Sequence, residues 1–259
     1  MTESAVRIVS LFPELLGTYG DGGNATVLGR RLDWRDIDHE HVVVDATDVI
    51  PTTGDIYLVG GGEDGPQTEA ARRLIADGGL HRAVERGAVV FAVCAGMQIL
   101  GHRFPDGTGR EQAGLGLLDC VTIRVDRPRA VGELLTTEAA LTFADATLPL
   151  GPLTGFENHA GRTVAGDGVV PLATVAVGEG NGDGTEGIVA GRVIGTYLHG
   201  PALARNPALA DALLAFVVAG ALAPLDDAEV EALRTDRIRA ARAHELAPRR
   251  SWRDRVRRA

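Results

Sequence analysis

The chain has 259 residues, of which 45% are hydrophobic, and its 35 acidic and 26 basic side chains give a formal net charge of −9. The basic side chains are all arginine, so the sequence excludes a Walker-type phosphate loop, which needs a lysine, and Schiff-base chemistry, which needs an amine. The negative charge argues against a general nucleic-acid binder, and the length allows one large α/β domain or two small ones.

The N-terminal half alternates between strand-like and helix-like patterns. Apolar runs of strand length occupy residues 6–11, 41–44, 55–59 and 88–93. Helical patterns run from Asn24, a good N-cap, to about Trp34, and over residues 66–86. This alternation predicts an α/β fold with a doubly wound, mostly parallel sheet flanked by helices, which binds ligands at the carboxyl ends of its strands.

Cys94 follows the last of these strands, and a helical pattern begins immediately after it. Ala92 and Gly96 keep its surroundings small, as a sharp strand-to-helix turn requires, and this layout is typical of a nucleophile elbow. The positive end of the helix favours the thiolate, which is the reactive form. The alternative is a structural cysteine, since free cysteine is among the most buried residue types. The flanking pattern and His199, described below, favour the nucleophile.

The pattern changes in the C-terminal half, from about Gly114. Short alternating segments follow at 117–125, 170–177, 187–190 and 193–198. They predict antiparallel strands added to the same sheet, and residues 207–222 predict an apolar helix. We predict one domain over residues 1–233 and a basic, arginine-rich C-terminal tail over 234–259. Such a tail is usually solvated, and the alternative is docking to an acidic partner or an anionic membrane surface.

His199 ends the strand pattern at 193–198 and enters a Gly-Pro turn. A histidine at a strand end is suited to proton transfer near neutral pH, although alone it would more often be structural. Paired with an elbow cysteine, it is the natural general base. The run Gly60-Gly61-Gly62 can present unobstructed N–H groups to an oxyanion, and the amide after Cys94 can add another.

The sequence predicts a cytoplasmic protein. Its two cysteines, Cys94 and Cys120, give no disulfide framework, and the N-terminus lacks the layout of a signal peptide. No apolar run reaches the roughly 20 residues of a transmembrane helix. A membrane-linked substrate is therefore expected to be met at the inner face of the membrane, through the substrate or a partner.

Three motifs together resemble those of the class I (triad-type) glutamine amidotransferases, and more narrowly the cobyric-acid-synthase-like branch. They are VGGGED at 59–64, VCAGMQ at 93–98 and GTYLHG at 195–200, in the family's order. Within the branch, the chain is similar to the glutaminase subunits (GatD) of lipid II isoglutaminyl synthases. The supporting features are a stand-alone domain, YGD at 19–21 with Asn24, and GFENHAGRT at 155–163. The resemblance implies a flavodoxin-like amidotransferase fold.

The resemblance also implies hydrolysis of L-glutamine to glutamate and ammonia through a cysteine thioester. The site residues that it implies are the catalytic Cys94 and His199, the oxyanion-hole residues Gly61 and Ala95, and the substrate-binding residues Gly60, Gln98, Arg129, Asn158 and His159. Arg129 resembles the family's clamp for the glutamine carboxylate, because a guanidinium matches carboxylate geometry. The alternative for Arg129 is an ordinary surface arginine. Asn158 and His159 are expected to shape the pocket and not to catalyse.

A partner subunit is implied as well. The resemblance implies a heterodimer with a Mur-ligase-like, ATP-dependent synthetase subunit, which receives the ammonia and amidates the D-glutamate of the lipid II peptidoglycan precursor. No cofactor or metal is expected in this chain, and ATP and magnesium are expected on the partner. Three alternatives stay open: another acceptor such as a corrinoid, a non-catalytic binding module on the same fold, and a cysteine hydrolase of the thiol peptidase kind.

The sequence departs from the wider class at one position. Many triad-type enzymes carry an acidic residue two positions after the histidine, and Pro201 stands there in this chain. The acid that orients His199 is therefore absent, supplied from elsewhere in the chain, or contributed by the partner. We hypothesise that a partner carboxylate completes the site, which predicts poor glutaminase activity from this chain alone.

Overall fold

A computed structural model describes residues 5–143 and 146–246. Within these ranges the strands are β1 (Val6–Leu11), β2 (His39–Val44), β3 (Ile56–Val59), β4 (Val89–Val93), β5 (Arg103–Pro105), β6 (Glu111–Ala113), β7 (Cys120–Arg124), β8 (Ala130–Phe143), β9 (Ala146–His159), β10 (Gly161–Ala165), β11 (Ala173–Val177), β12 (Thr185–Glu186), β13 (Ile188–Ala190) and β14 (Val193–Thr196). The helices are α1 (Gly23–Asp33), α2 (Asp64–Asp77), α3 (Gly79–Glu85), α4 (Ala95–Leu100), α5 (Ala202–Arg205), α6 (Pro207–Ala215) and α7 (Ala228–Leu246).

The centre of the fold is a six-stranded sheet with the order β13-β14-β4-β3-β1-β2. Every pairing in it is parallel except that of β13 with β14. All residues of β3 and β4 are buried, as expected for parallel strands covered on both faces by other elements. The predicted α/β class with a mostly parallel sheet is confirmed. The carboxyl ends of β1, β3, β4 and β14 meet at one edge of the sheet.

The C-terminal half differs from the prediction of antiparallel strands added to this sheet. Segments 117–125 and 170–177 instead belong to two further four-stranded sheets, ordered β10-β7-β5-β6 and β12-β11-β8-β9. The reason is the long β8–β9 hairpin, which was not predicted and which offers β11 an antiparallel partner. Among the described strands, β13 adds to the central sheet in the antiparallel sense, and β14 joins it in parallel beside β4. Val170 forms an isolated antiparallel bridge with Val189 of β13.

Three helix predictions also change in detail. The one over 66–86 is divided into α2 and α3 at Gly78, whose φ is 67°. α1 begins at Gly23 and not at Asn24, whose side-chain oxygen instead accepts a hydrogen bond from the backbone N–H of Leu203, at 3.0 Å. The helix predicted over 207–222 is α6, which ends at Ala215. Gly220, farther along this segment, has a φ of 87°, which an α-helix does not accommodate.

α7 crosses the predicted boundary between residues 233 and 234. It packs against β8, β9 and β11, with Ala241 buried, and the Arg234 side chain donates a hydrogen bond to the carbonyl of Pro152. Residues 247–259, which carry the arginine run of the predicted tail, lie outside the described residues. In the part of the chain that is described, no helix combines the length and apolar character needed to cross a bilayer.

An ion-pair cluster holds α1 against α6 and the start of α7. The Arg31 side chain is only 4% exposed and donates to Asp211 at 2.6 and 2.7 Å and to Asp227 at 2.9 and 2.8 Å. Arg35 donates to Asp211 as well, at 2.8 Å. Burial acts to raise the pKa of Asp211, but the hydrogen bonds from the two arginines outweigh it, so that this pKa is lowered.

We expect Arg31→Met to lower the free energy of unfolding by about 2–3 kcal/mol, because it leaves two partly buried carboxylates without their main partner. The pKa of Asp211 is lower in the folded state than in the unfolded state. The contribution of the Asp211 ion pairs to the free energy of unfolding is therefore complete above about pH 4. It is lost as the pH falls through the lowered pKa of Asp211. Urea unfolding between pH 2 and pH 7 measures both effects. Arg30→Met, on the exposed side of α1, is the control, and equal losses in the two variants would contradict the role of the cluster.

Candidate active site

Cys94 lies in the turn between β4 and α4 with a φ of 52° and a ψ of −106°. Such a backbone is rare for a residue with a side chain and indicates local strain. A Cβ at Gly96 would collide with the carbonyl oxygen of Val59, so α4 can begin this close to β3 only with glycine there. The strand-to-helix turn predicted around Cys94 is therefore present. A small residue is needed at Gly96 because the turn leaves no room for a side chain there.

The two cysteines have different environments. Cys94 is 5% exposed and lines a cleft at the carboxyl edge of the sheet. Cys120 is buried in β7, and burial raises the pKa of its thiol to about 12. A thiol with that pKa stays protonated and unreactive near neutral pH. Cys120 therefore fits the structural role, and Cys94 has the position of a nucleophile.

His199 is brought to Cys94 by β14, which pairs with β4 in parallel. The His199 backbone exchanges hydrogen bonds of 2.8 and 3.0 Å with Phe156 of β9, which fixes the strand end against the long hairpin. Nε2 of the His199 ring is buried and makes no hydrogen bond of normal geometry with the described residues. The Cys94 thiol is close enough to the ring to affect its protonation.

Asp21 supplies the carboxylate that was missing from the sequence pattern. It lies in the loop after β1, is 4% exposed, and approaches Nδ1 of His199 at 3.2 and 3.4 Å. Pro201, at the position where many triad-type enzymes carry the acid, packs against Gly23 at the start of α1. Of the three alternatives for the acid, the structure thus supports one supplied from elsewhere in this chain. The hypothesis that a partner carboxylate completes the site stays a prediction.

The protonation of His199 follows from these contacts. Burial acts to lower the pKa of His199, but the hydrogen bond to Asp21 and the interaction with Cys94 outweigh it and raise this pKa to about 10. The ring is therefore an imidazolium near neutral pH. An imidazolium attracts a thiolate, and it holds a proton for a leaving group.

The glycine loop after β3 lies beside this pair. The N–H of Gly61, the predicted oxyanion donor, is hydrogen-bonded to Asp21 Oδ2 at 2.8 Å. Gly62 and Ala95 line the cleft with Cys94, whereas Gly60 and Gly61 are not among its lining residues. The oxyanion role of Gly61 and Ala95 stays a prediction. To act as an oxyanion donor, the Gly61 N–H must give up its hydrogen bond to Asp21 and donate to the substrate instead.

Arg129, Asn158 and Tyr19 form a chain of hydrogen bonds across the top of the cleft. Arg129 donates through Nε to the side-chain oxygen of Asn158 and through Nη2 to its carbonyl, the latter at 3.1 Å. Asn158 donates to the Tyr19 hydroxyl at 3.0 Å, and Tyr19 donates to Glu63 at 2.9 Å. The carbonyl oxygen of Asn158 is 3.9 Å from the Cys94 sulfur. The predicted substrate-binding residues Arg129 and Asn158 are thus next to the predicted nucleophile.

Gln98 and His159 belong to a buried polar network in the cleft wall. Gln98 donates to the Tyr197 hydroxyl at 3.1 Å and accepts from Gln67 at 2.8 Å. The His159 ring stacks on Tyr197 with centroids 3.7 Å apart and pairs with Glu157 at 3.2 Å. Sequence reasoning did not single out Gln67, Tyr197 or Glu157. The signal that could have found them is their position in the chain, because Tyr197 and Glu157 lie inside quoted motifs and Gln67 lies three residues after one.

The cleft has a volume of about 200 Å³. Of the predicted site residues, those that line it are Cys94, Ala95, Gln98, Arg129, Asn158 and His159. His199 is not among the lining residues, and its side chain is 1% exposed. Throughout residues 5–143 and 146–246, no group of His, Cys, Asp and Glu side chains is arranged to hold a metal ion.

Comparisons with known proteins agree with this geometry. A family model described as "CobB/CobQ-like glutamine amidotransferase domain" matches residues 7–207. The lipid II isoglutaminyl synthase subunit GatD of Staphylococcus aureus (strain N315) is 35% identical over 213 residues, which cover 81% of this chain and 83% of that protein. GatD of Streptococcus pneumoniae (strain ATCC BAA-255 / R6) is 33% identical, covering 79% and 77% of the two chains.

Two further matches are more distant or partial. The cobyric acid synthase of Azorhizobium caulinodans is 35% identical, but the match covers 60% of this chain and 30% of that enzyme. A solved structure of a glutamine amidotransferase superposes with a TM-score of 0.54 at 22% identity, over 81% of this chain and 98% of that one. The structural match supports the fold.

We expect Asp21→Asn to lower the pKa of His199 from about 10, because a neutral amide no longer favours the imidazolium. The pKa of His199 in the folded state lies above its unfolded value of about 6.5. The stability that the His199–Asp21 contact adds is therefore complete below about pH 6.5 and is lost as the pH rises through about 10. NMR titration of the His199 ring measures the pKa, and thermal unfolding between pH 6 and pH 10 measures the stability. Glu63→Gln, which removes a carboxylate bonded to Tyr19, is the control. An unchanged His199 titration in Asp21→Asn would contradict the contact.

Proposed function

The chain belongs to the CobB/CobQ-like glutamine amidotransferase family, and we propose on this basis that it is the glutaminase subunit of a lipid II isoglutaminyl synthase. The observation that carries the proposal is the match to two GatD proteins over about four-fifths of both chains. It is supported by the grouping of Cys94, His199 and Asp21 at the carboxyl edge of the sheet. This arrangement suits attack on an amide by a thiolate.

In the first half of the proposed reaction, the Cys94 sulfur attacks the side-chain amide carbon of glutamine and forms a tetrahedral intermediate. The carbon–nitrogen bond then breaks, the nitrogen takes the proton from Nε2 of His199, and ammonia leaves. The product on the enzyme is a thioester. Asp21 keeps Nδ1 protonated, so that Nε2 is the nitrogen that gives and takes the proton.

In the second half, water attacks the thioester and gives its proton to the now neutral Nε2 of His199. The carbon–sulfur bond breaks, glutamate leaves, and Cys94 returns as a thiolate beside the imidazolium. The negative oxygen of each intermediate is proposed to accept hydrogen bonds from the amide of Ala95 and from that of Gly61, once the latter leaves Asp21.

Arg129 is proposed to bind the substrate carboxylate. Its guanidinium lines the cleft and is held by Asn158 through Nε and Nη2. A planar guanidinium fixed in this way needs little reordering to bind a carboxylate. The proposed roles of Gly60, Gln98 and His159 are to support the pocket. Gly60 is not among the lining residues, and the side chains of the other two belong to the buried network.

The partner is proposed to be a Mur-ligase-like synthetase subunit that binds ATP and magnesium and amidates the D-glutamate of lipid II at the cytoplasmic face of the membrane. The absence of lysine supports this division, because this chain lacks the Walker-type residue for a phosphate loop. A corrinoid acceptor is the second candidate. It is less favoured, because the match covers only 30% of the cobyric acid synthase.

We expect Cys94→Ala to abolish glutamate release, because no other group can form the thioester. Glutamate should be measured with and without the candidate ligase subunit. Cys120→Ala is the matched control, since its thiol is buried away from the cleft, and it is expected to keep activity. Turnover by Cys94→Ala would show that the nucleophile is misassigned.

The acceptor is tested separately with glutamine carrying ¹⁵N in its side-chain amide, together with the ligase subunit, ATP, magnesium and lipid II. We expect the label to appear in the D-glutamate amide of lipid II, by mass spectrometry of the stem peptide. Label in a corrinoid, with none in lipid II, would contradict the proposed acceptor.

A further inference from the structure

The backbone between β14 and His199 is held by side chains and not by a sheet. β14 ends at Thr196, and the His199 backbone pairs next with Phe156 of β9. The two residues in between are Tyr197 and Leu198, and the backbone N–H of each donates to a side chain. The position of His199 relative to the central sheet therefore depends on these two side-chain acceptors.

Both hydrogen bonds lead to one buried acid, Glu186 of β12. Its Oε1 accepts from the Tyr197 N–H at 2.9 Å and also from the Thr196 hydroxyl. The oxygen of that hydroxyl accepts in turn from the Leu198 N–H at 3.0 Å. Glu186 therefore anchors the whole segment from Thr196 to Leu198.

The same segment also holds the nucleophile. The Cys94 N–H donates to the carbonyl of Thr196 at 2.7 Å. Because the Cys94 backbone is strained, with a φ of 52°, it keeps its orientation only while its surroundings hold it there. Thr196 thus connects Glu186 to both residues of the catalytic pair, to Cys94 through its carbonyl and to His199 through Leu198.

A carboxyl group at position 186 is unfavourable unless its acceptor oxygen is needed. Glu186 is 0% exposed, and its Oε2 has no hydrogen-bond partner among the described residues. Burial is the largest influence and raises the pKa of Glu186 to about 7, against the effect of the two hydrogen bonds at Oε1. An apolar side chain would avoid this cost, but it would leave the buried N–H of Tyr197 without an acceptor. The acid is therefore explained by the bonds that it accepts.

We propose that Glu186 is a positioning residue, which holds Cys94 and His199 in reacting geometry through the segment 196–198. The inference rests on the proposed glutaminase function and adds to it a residue that touches neither the substrate nor the reacting atoms. The role belongs to the acceptor oxygen and not to the charge, since the oxygen of a neutral acid or of an amide accepts the same two bonds. Glu186 and residues 196–198 are not among the residues that line the cleft, so the effect is on turnover and not on substrate binding.

The test measures glutamine hydrolysis, with the partner subunit present, in three variants. We expect Glu186→Ala to lower kcat by about 10- to 100-fold, because a displacement of about 1 Å at a reacting group has an effect of this size. KM should stay within about twofold of the wild-type value, since the lining of the cleft is unchanged. Glu186→Gln keeps the acceptor oxygen and is expected to keep kcat within about threefold of wild type. Thr196→Val, with a side chain of similar shape, breaks the path to Leu198 and is expected to lower kcat as well.

Tyr57→Phe is the control for the loss of a buried hydrogen bond alone. The Tyr57 hydroxyl is buried near the amino end of β3, away from the carboxyl edge of the sheet, and accepts from the Gly54 N–H at 3.0 Å. We expect this variant to have a lower Tm and an unchanged kcat. The same result in Glu186→Ala would indicate a structural role and overturn the inference, as would a Glu186→Gln enzyme as slow as Glu186→Ala. If Glu186→Ala does not fold, Thr196→Val decides, and an unchanged kcat in that variant overturns the inference.

A second measurement does not require glutamine and so separates this inference from the proposed function. The interaction with Cys94 helps to raise the pKa of His199 to about 10. We therefore expect NMR titration to show a lower His199 pKa in Glu186→Ala and Thr196→Val, and an unchanged one in Tyr57→Phe. An unchanged His199 titration in both site variants would overturn the inference. Absence of glutamine hydrolysis by the wild type, even with its partner, would instead overturn the proposed function.

Discussion

The active site depends on the hydrogen bonds that a single carboxylate accepts. Asp21 joins the ring of His199 to the backbone of Gly61, and so connects the loops that follow β1, β3 and β14. Cys94, at the end of β4, sits among them. Because these four strands are parallel, their carboxyl ends are at the same edge, and residues far apart in sequence meet with little connecting structure. Loss of this contact would free the histidine and the glycine loop together.

The parts of this site that sequence could predict are those encoded in short segments. The apolar strand that ends at Cys94, the small residues beside it and the strand that ends at His199 each carry their own local signal. Asp21 belongs to the YGD motif at 19–21, but nothing local assigns it to the histidine, because the two residues are 178 positions apart and Pro201 removes the usual pattern. The acid is found by asking which loops share the edge of the sheet, which requires the strand order.

The same distinction explains the errors in the fold. Parallel strands buried on both faces are recognisable as apolar runs, and β3 and β4 were found in this way. The antiparallel segments alternate in a manner that does not specify their partners. β11 pairs with β8 of the long β8–β9 hairpin, whereas β7 pairs with β10 and β5 in a different sheet. α7 likewise extends past the predicted boundary, because it packs against that hairpin and Arg234 donates to the carbonyl of Pro152 on it. Contacts between segments far apart in sequence thus determine both the sheets that β7 and β11 join and the length of α7.

The two cysteines differ enough in accessibility that alkylation of each one reports on a different property of the folded protein. A small alkylating reagent applied to the native protein reaches the Cys94 sulfur through the cleft. The Cys120 sulfur is buried in β7, and its thiol has a pKa of about 12. Alkylation of Cys94 is therefore slowed when a ligand occupies the cleft, whereas alkylation of Cys120 requires opening of the β7–β10 pairing. Counting labels on the intact protein therefore separates ligand protection from global stability without any engineered probe.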